Sequence, residues 1–331
     1  MTADDKLIVG EQRSPEDQNP YPALFWDAVG DQADLRAFTW RSAFTTPYDV
    51  FHVEFPEHFA REFTRRRRLR NLLLAAALRL ALAIRRVPVV RTVHNATPHA
   101  RLPLLSRLTF ELMKPADQRV YLTNCSRQAA ADPTAAVIPH GSYRSRFAHL
   151  PKVERAQPPK LLLFGLLRAY KGIEDLIRAY GEWGPSDVGL DIIGREDDPG
   201  YAAELAAQAG PGVRVDNRFV PDDELWGLIQ AATLVVLPYR QITNSGALIL
   251  ALDAGTPVLM SDSELAREME AEFGGYWVRR YAPPLTGETL RAAVAAAQAS
   301  DPEPADMSTR DWKTVIAPRY LALYRSLARR R

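Results

Sequence analysis

Apolar residues fall along this chain in short runs rather than in strict alternation. One series reads KLIVG, YDVFHVEF, VPVVRTVHN, RVYLTN and AAVIPHG; a second reads KLLLFG, GLDIIG, VRVDNRFV, TLVVLPY and TPVLMSD. Runs of that length, rich in Val, Ile and Leu, are what strands covered on both faces look like. Amphipathic stretches lie between them: in GIEDLIRAY, Ile173, Leu176, Ile177 and Tyr180 recur at helical spacing. Strand runs alternating with helical ones predict parallel sheets joined by crossover helices. The two series are separated by HLPKVERAQPP, residues 149–159, whose prolines and mixed charge suit a linker. A second polar break, ASDPEPADMSTRD, precedes a last amphipathic segment carrying Trp312, Ile316, Tyr320, Leu323 and Tyr324, with a bend expected at Pro318. The expected fold class is α/β: two doubly wound, Rossmann-like domains at 1–150 and 151–306, facing a cleft, and a C-terminal helix at 307–331 free to pack back on the first domain. In such folds ligands bind at the carboxyl ends of strands, which makes the cleft the default site.

The composition narrows the class. A chain of 331 residues, 47% hydrophobic and 25% charged, has the make-up of a globular protein of two ordinary domains. A net charge of +2 excludes polyanion binding by bulk charge, so no nucleic-acid partner is expected. The single cysteine, Cys125, rules out an internal disulfide and fits a reducing compartment. MTADDKLIVGEQRSP lacks the layout of a secretory leader, and the expected location is cytoplasmic. One stretch qualifies that: RRRRLRNLLLAAALRLALAIRR, whose apolar part, Leu72 to Ile84, is broken by Arg79 and falls short of the roughly 20 residues a spanning helix needs. It reads equally as a core helix with a solvated arginine cap and as an interfacial helix on an anionic inner-membrane surface.

Four motifs carry candidate chemistry. In LLLFGLLRAYKGIEDLIRAY a strand ends at Gly165, and Arg168 and Lys171 follow in a loop before a helix. Two cations beside a strand's carboxyl end suit a diphosphate, which gains charge as its bond to a sugar breaks. In TNSGALILALDAG the small polar residues Thr243, Asn244, Ser245 and Gly246 open an apolar helix. Unpaired N–H groups there favour phosphate, although one of these residues also serves as an ordinary N-cap. In RTVHNATPH, His94 ends a strand and His99 lies further out; HVEFPEH supplies His52, Glu54, Glu57 and His58, and NPY supplies Asn19 and Tyr21. The spacing of these His and Glu residues matches no compact metal site, so no metal is expected. VIPHGSY, with His140 and Gly141, is a turn at a strand end that reads as hinge or ligand loop. No GxGxxG follows a strand and no GxxxxGK[ST] or GxSxG occurs, which weighs against dinucleotide oxidoreductases, P-loop enzymes and the commonest α/β hydrolases.

In this order and spacing the motifs resemble GT-B glycosyltransferases, in particular the large retaining, nucleotide-sugar-dependent family and its bacterial exopolysaccharide relatives. The likeness spans most of the chain and is best over residues 137–262. FGLLRAYKGIEDLI resembles the family's donor loop, LDIIG the strand and glycine before the nucleotide base, and RFVPDDELWGLIQAATLVVLPY followed by SGALILALDAGTPVLMSD the donor helix region. The resemblance implies that Gly165, Arg168, Lys171, Gly194, Val220, Tyr239 and Thr243 to Gly246 bind the donor, that Lys171 holds its diphosphate, and that His94 lies by the donor sugar or acceptor. Asn19, Tyr21, Glu54, His140 and Gly141 would then face the acceptor side. Two departures stand out: Leu166 replaces the usual arginine after the glycine, with Arg168 its nearest substitute, and Ile242 and Leu250 replace the pair of glutamates that read sugar and ribose.

The expected activity is metal-independent transfer of a hexose from a UDP- or GDP-sugar to a hydroxyl of a saccharide or lipid-linked saccharide, in polysaccharide or glycoconjugate synthesis. His94, Arg168 and Lys171 are the expected catalytic residues. The resemblance leans to retention; inversion would need a base, for which Glu54 or His94 are the candidates. The competing readings are a nucleotide-sugar isomerase of the same fold and a non-catalytic nucleotide-binding scaffold.

Overall fold

The computed structural model describes residues 6–12, 20–60, 64–94, 102–184, 187–240, 246–299 and 302–329. The chain divides into two compact units, Met1–Gly141 with Ser308–Arg331, and Ser142–Met307, so the first division falls upstream of residues 149–159.

The first unit is built on β1 (Leu7–Glu11), β2 (Ala33–Ala37), β3 (Val50–Val53), β4 (Val89–Val93), β5 (Gln118–Tyr121) and β6 (Ala136–Val137). They form one parallel sheet in the order β2-β1-β3-β4-β5-β6. β3 and β4 are buried along their whole length, as an interior strand of a covered sheet must be. The chain steps from β1 out to β2 and returns on the other side to β3. Strand order therefore reverses at the β1/β3 pair, where crossover connections diverge and leave the carboxyl ends open to a ligand. One face of the sheet packs Tyr48, Phe51, Val53 and Phe59 against Leu78 and Leu82 of the helix Arg65–Ile84 and Met113 of the helix Leu104–Met113. The C-terminal helix, Ala317–Ala328, belongs to this unit and packs on β3 and on the helix Pro20–Gly30. Pro318 produces no bend: it sits in the first turn, where its missing N–H is no loss, directly after the π-helical turn Trp312–Ile316.

The second unit repeats the plan with β7 (Lys160–Phe164), β8 (Gly189–Ile193), β9 (Val213–Asp216), β10 (Leu234–Leu237), β11 (Val258–Ser261) and β12 (Val278–Tyr281), all parallel, in the order β12-β11-β10-β7-β8-β9. Its reversal lies between β7 and β10. Leu161, Leu163, Leu190, Ile192, Leu234 and Val236 from the sheet meet Ile173, Leu176 and Ile177 from the helix Ile173–Trp183 in a continuous core. The unit's start is tied down by Asp253, a buried carboxylate at the end of the helix Gly246–Asp253. It accepts hydrogen bonds from Ser142 Oγ at 2.7 Å and from the Tyr143 backbone N–H at 2.6 Å, with Arg144 Nε at 3.6 Å.

Each sheet contains one strand that the apolar runs do not announce. β2 reads ADLRA and β12 reads VRRY. Both are edge strands, and an edge strand covered on only part of its surface has no need of a continuous apolar run.

Candidate active site

In the second unit the chain leaves β7 through Gly165, at φ +89°, and makes a tight turn over Ala169–Lys171. Gly172 closes that turn at φ +67°, and a Cβ there would lie 2.3 Å from the Pro238 carbonyl oxygen, so glycine alone lets the turn rest on the end of β10. The turn carries Lys171 inward. Its side chain is buried, its Nζ donates to the Phe164 carbonyl at 3.1 Å, and it lies 5.4 Å over the ring of Tyr239. Burial, and after it the charge of Arg168, push the ammonium down to about 7. Among the described residues no carboxylate pairs with it. A buried cation with one carbonyl acceptor and a ring face lacks the counter-charge that buried ammonium groups otherwise require. Arg168 is differently placed: its guanidinium is paired with Asp197 at 3.0 Å.

Of the other residues read from the sequence as donor-binding, Gly194 and Gly246 lie at strand ends beside that of β7. The strand order puts the end of β10 beside that of β7, and the helix Gly246–Asp253 follows β10, so Gly246 opens a helix on the carboxyl side of the sheet at the point of reversal. Gly194 ends β8 in close approach to the first loop; a Cβ on it would fall 2.0 Å from the Gly165 carbonyl oxygen. Val220 is half-buried beyond β9, beside Phe219, which exposes 60% of its surface. Leu250 is half-buried in its helix and puts no carboxylate there. Ile242, Thr243, Asn244 and Ser245 lie outside the described residues, as do Asn19 and His99.

In the first unit four ionisable groups gather at the reversal between β1 and β3. Glu11 ends β1, His52 lies within β3, Glu54 follows β3 and His94 follows β4. Glu11 Oε2 is 2.8 Å from His52 Nδ1, His52 Nε2 is 3.5 Å from Glu54 Oε1, and Glu54 Oε2 is hydrogen-bonded to His94 Nε2. The first three are buried, whereas the His94 side chain is 11% exposed. The group is thus a chain of alternating carboxylate and imidazole running from the interior to the surface. Phe55 stacks on His94 with centroids 4.3 Å apart, and Tyr21 meets the same ring edge-on at 5.4 Å. Hydroxyls close the inner end: Tyr324 OH is 2.9 Å from His52 Nδ1, and Thr92 Oγ1 is 2.9 Å from His52 Nε2 and 3.1 Å from Tyr320 OH. Burial, and then the neighbouring carboxylates, hold the hydroxyls of Tyr21 and Tyr324 well above the usual tyrosine range, so both stay protonated. For His52, burial disfavours the charge, but Glu11 and Glu54 outweigh it and raise the imidazole above its ordinary value.

Glu11, His52 and Glu54 each present one potential ligand atom within 4.8 Å of the others, the one metal-like set among the described residues. The fit to a resident cation is poor. A metal needs a ring lone pair, and both nitrogens of His52 are already hydrogen-bonded, Nδ1 with Tyr324 OH and Nε2 with Thr92 Oγ1, each at 2.9 Å. Glu57 and His58, grouped with His52 and Glu54 in the sequence reading, lie instead on the short helix Glu57–Ala60. His140 and Gly141 are packing residues of this unit. His140 is buried against Tyr21 and pushed down to about 3, chiefly by burial, so it is neutral, and a Cβ on Gly141 would fall 2.2 Å from Trp312 Cε2.

A family model described as "Glycosyl transferases group 1" matches residues 158–294, within the second unit. A curated relative, the GDP-mannose:glycolipid 4-beta-D-mannosyltransferase of Xanthomonas campestris pv. campestris, is 30% identical over 312 residues, covering 93% of this chain and 89% of that protein. The chain belongs to the group 1 glycosyltransferases. Solved structures agree on the fold. The sucrose-phosphate synthase of Thermosynechococcus elongatus superposes with a TM-score of 0.65 at 15% identity, covering 98% of this chain and all of that one. The α,α-trehalose 6-phosphate synthase of Burkholderia multivorans gives 0.63 at 14%, covering 98% and 97%. The GT-B fold expected from the motif order is therefore present.

The family match covers only part of the glycosyltransferase's candidate chemistry. Lys171, Tyr239 and Gly246 fall inside residues 158–294, whereas Glu11, His52, Glu54 and His94 fall outside them. Sequence reasoning picked Glu54 and His94 singly. It missed Glu11 altogether and gave His52 no role beyond the metal question. The one signal available was a polar residue ending each of two apolar runs, KLIVGE and VFHVE, and pairing those ends requires the strand order.

Proposed function

We propose that this glycosyltransferase moves mannose from GDP-mannose to a hydroxyl of a glycolipid, with inversion at the anomeric carbon. The observation that carries the reading is Lys171, a buried ammonium without a carboxylate partner among the described residues, at the reversal point where this fold takes its ligands. A donor diphosphate supplies the missing negative charge. As the sugar–phosphate bond breaks, charge accumulates on the leaving GDP, and Lys171 with the N–H groups opening the helix at Gly246 stabilises it. This charge stabilisation needs no metal.

Two observations favour inversion over the retention to which the family resemblance leans. The relative's name specifies a β-mannosyl product, and the sugar of GDP-mannose is α-linked. Inversion also needs a base, and the Glu54–His94 pair is one: an imidazole at the surface backed by a buried carboxylate. In a single displacement the acceptor oxygen bonds to C1, the C1–phosphate oxygen bond breaks, and the acceptor's proton passes to His94, whose new charge Glu54 holds.

The acceptor's lipid part gives a role to the helix Arg65–Ile84. Its buried side carries Ala75, Leu78 and Leu82, while Leu69, Leu73, Leu80 and Ile84 are 48%, 62%, 62% and 73% exposed. Leu104 and Leu108 on the neighbouring helix are also exposed, and Arg65, Arg66, Arg67, Arg85 and Arg107 flank the patch. Basic residues around an apolar stripe fit an anionic bilayer surface. Among the described residues no helix is long and apolar enough to cross a membrane, so this contact is peripheral.

The test supplies GDP-, UDP-, ADP- and dTDP-linked sugars with and without a lipid-linked saccharide and reads donor consumption and the anomeric configuration of the product by NMR. A β-mannosylated lipid formed only with GDP-mannose and acceptor is expected. Consumption without acceptor would point to the isomerase, an α-product would overturn inversion, and no consumption of any donor would leave a nucleotide-binding scaffold.

A further inference from the structure

The first unit carries a second recess, at the opposite end of its sheet from Glu54 and His94. Val87, Pro88 and Val89 lead into β4 there, Asp117 precedes β5, and the end of the helix Arg65–Ile84 contributes Arg79 and, just beyond it, Arg86. The cavity measures about 530 Å³, within the range of ligand pockets. No part of the reaction just described uses it. The carboxylate in its lining is committed: Asp117 Oδ2 accepts the Val89 backbone N–H at 2.7 Å. Arg79 is not. It is half-buried, its Nη1 is shut off from water without a hydrogen-bond partner, and among the described residues its guanidinium makes no ion pair. Burial, partly offset by the more distant charge of Asp117, holds the group below its ordinary value, and it remains a cation. Arg85 shows the contrast: its guanidinium donates to the backbone carbonyls of Thr46 and Phe44. A cation held partly out of water without a counter-charge calls for an anion.

Two further observations bear on what that anion is. The helix closes with the Arg86 N–H on the Ala83 carbonyl at 3.0 Å and the Val87 N–H on that of Leu82 at 2.8 Å, a pattern whose left-handed residue is Arg86 itself. Glycine is the usual occupant of such a position, yet an arginine stands there at φ +55°. What the position gains from it is a side chain on the cavity wall. The helix also fixes what borders the cavity. At about 100° per residue, Arg79 and Ala83 share one face, and Leu80 and Ile84, next after each, share the adjoining face. Leu80 and Ile84 are 62% and 73% exposed.

We propose that this cavity binds the phosphate of an anionic lipid headgroup, held by Arg79 and Arg86 while the lipid's acyl chains lie along Leu80 and Ile84. This rests on the reading of the helix Arg65–Ile84 as the membrane contact. Adjacency selects a lipid over a free anion. In a bilayer the phosphate sits directly above the acyl chains, so a headgroup ligand needs a cationic recess bordering an apolar surface, and one turn of this helix supplies both. A guanidinium grips phosphate through parallel N–H donors, which separates a seated headgroup from diffuse negative potential. The Asp117 carboxylate in the lining favours a singly charged phosphodiester over a doubly charged phosphate. A seated headgroup also fixes the helix about its own axis, which an apolar stripe alone does not.

The experiment uses the full-length protein with 15N-labelled arginine and follows the side-chain Nε–H signals by NMR, Arg79 being assigned by its loss in Arg79→Gln. The probes are dihexanoyl-phosphatidylglycerol, kept below its micelle-forming concentration, and inorganic phosphate. A saturable shift of the Arg79 signal is expected with the lipid, at a concentration at least about tenfold lower than phosphate requires. An equal response to both would replace the lipid by a free anion and overturn the proposal, as would no response to either. The second readout is sedimentation with phosphatidylglycerol vesicles. Arg66→Gln, at an exposed position near the start of the same helix, removes one surface charge and should weaken binding about fivefold, the equivalent of about 1 kcal/mol per basic residue near an anionic surface. Arg79→Gln should weaken it at least about twentyfold with the melting temperature kept. A loss no larger than that of Arg66→Gln would make Arg79 one more surface charge and overturn the headgroup site. The two readings fail separately. If Leu73→Ser/Leu80→Ser releases the vesicles while Arg79→Gln behaves like Arg66→Gln, the membrane contact stands and the headgroup site falls. If vesicle binding survives Leu73→Ser/Leu80→Ser while the short-chain lipid still shifts Arg79, the apolar contact falls and the phosphate site stands.

Discussion

Lys171 is the residue on which the proposed donor chemistry and stability conflict. Its folded value of about 7 lies below the ordinary 10.5. The sign follows: its charged form is favoured in the unfolded chain, so the residue costs stability at pH values below 10.5, and the full cost is present below about 7. A bound diphosphate reverses the preference by pairing the charge. Donor affinity is therefore expected to strengthen as pH falls toward 7, and donor-induced thermal stabilisation should be larger at pH 6.5 than at pH 9, with other groups of the donor held in one state. Lys171→Met should melt higher than the wild-type protein at pH 6 without donor and show almost no shift on adding GDP-mannose. A normal donor shift in that variant would remove Lys171 from the site. At the proposed base, Glu54→Gln keeps the shape and removes the charge that would hold a His94 imidazolium. A loss of roughly 10²–10⁴ in kcat is expected, the span of general-base contributions, with donor KM little changed. A rise in KM at constant kcat would mean that Glu54 binds rather than catalyses.

Helices and strands were legible to the extent that their burial is local. The ten runs read from the sequence became ten strands because interior parallel strands must be apolar throughout, as β4 and β10 are. The two that escaped, β2 and β12, carry Arg36, Arg279 and Arg280 at sheet edges, where a charged side chain reaches water. The candidate site was legible where one loop makes it, as with Gly165 to Gly172. It was not legible where partners come from separate strands: Glu11 and His52 are neighbours only because β1 lies against β3. Two element-level outcomes follow. Asp253 holds a hydroxyl, a backbone N–H and a guanidinium at once, so Asp253→Ala should cost about 3–5 kcal/mol, the usual penalty for breaking a buried charged network. Denaturant unfolding would show it, and a change below 1 kcal/mol would deny Asp253 that anchoring part. For the helix Arg65–Ile84, sedimentation with vesicles containing phosphatidylglycerol should pull the protein down at low salt. Leu73→Ser/Leu80→Ser should release it without lowering the melting temperature, since both side chains already face solvent. Binding that survives in this variant would place the lipid contact elsewhere.

On the scale of the molecule, both units use one rule twice. Each gathers its candidate site residues where strand order reverses, β1/β3 in the first and β7/β10 in the second. The two nonetheless differ in how the chain composes them. The second unit is contiguous, Ser142–Met307, and owns a complete core, so residues 142–307 expressed alone should unfold cooperatively. The first needs Ser308–Arg331, which brings Tyr320, Tyr324 and Trp312 to His52, Phe25 and Tyr21, so residues 1–141 alone should not. Calorimetry on the two fragments checks both statements. The order of synthesis then acquires a meaning. A ribosome makes Glu11, His52 and Glu54 before the second unit, yet the tyrosines that wall those charges from water follow that unit in the chain. Until Tyr320 and Tyr324 have been made, the histidine and its carboxylates lack those two walls, and the proposed base gains them only after the whole second unit has been translated.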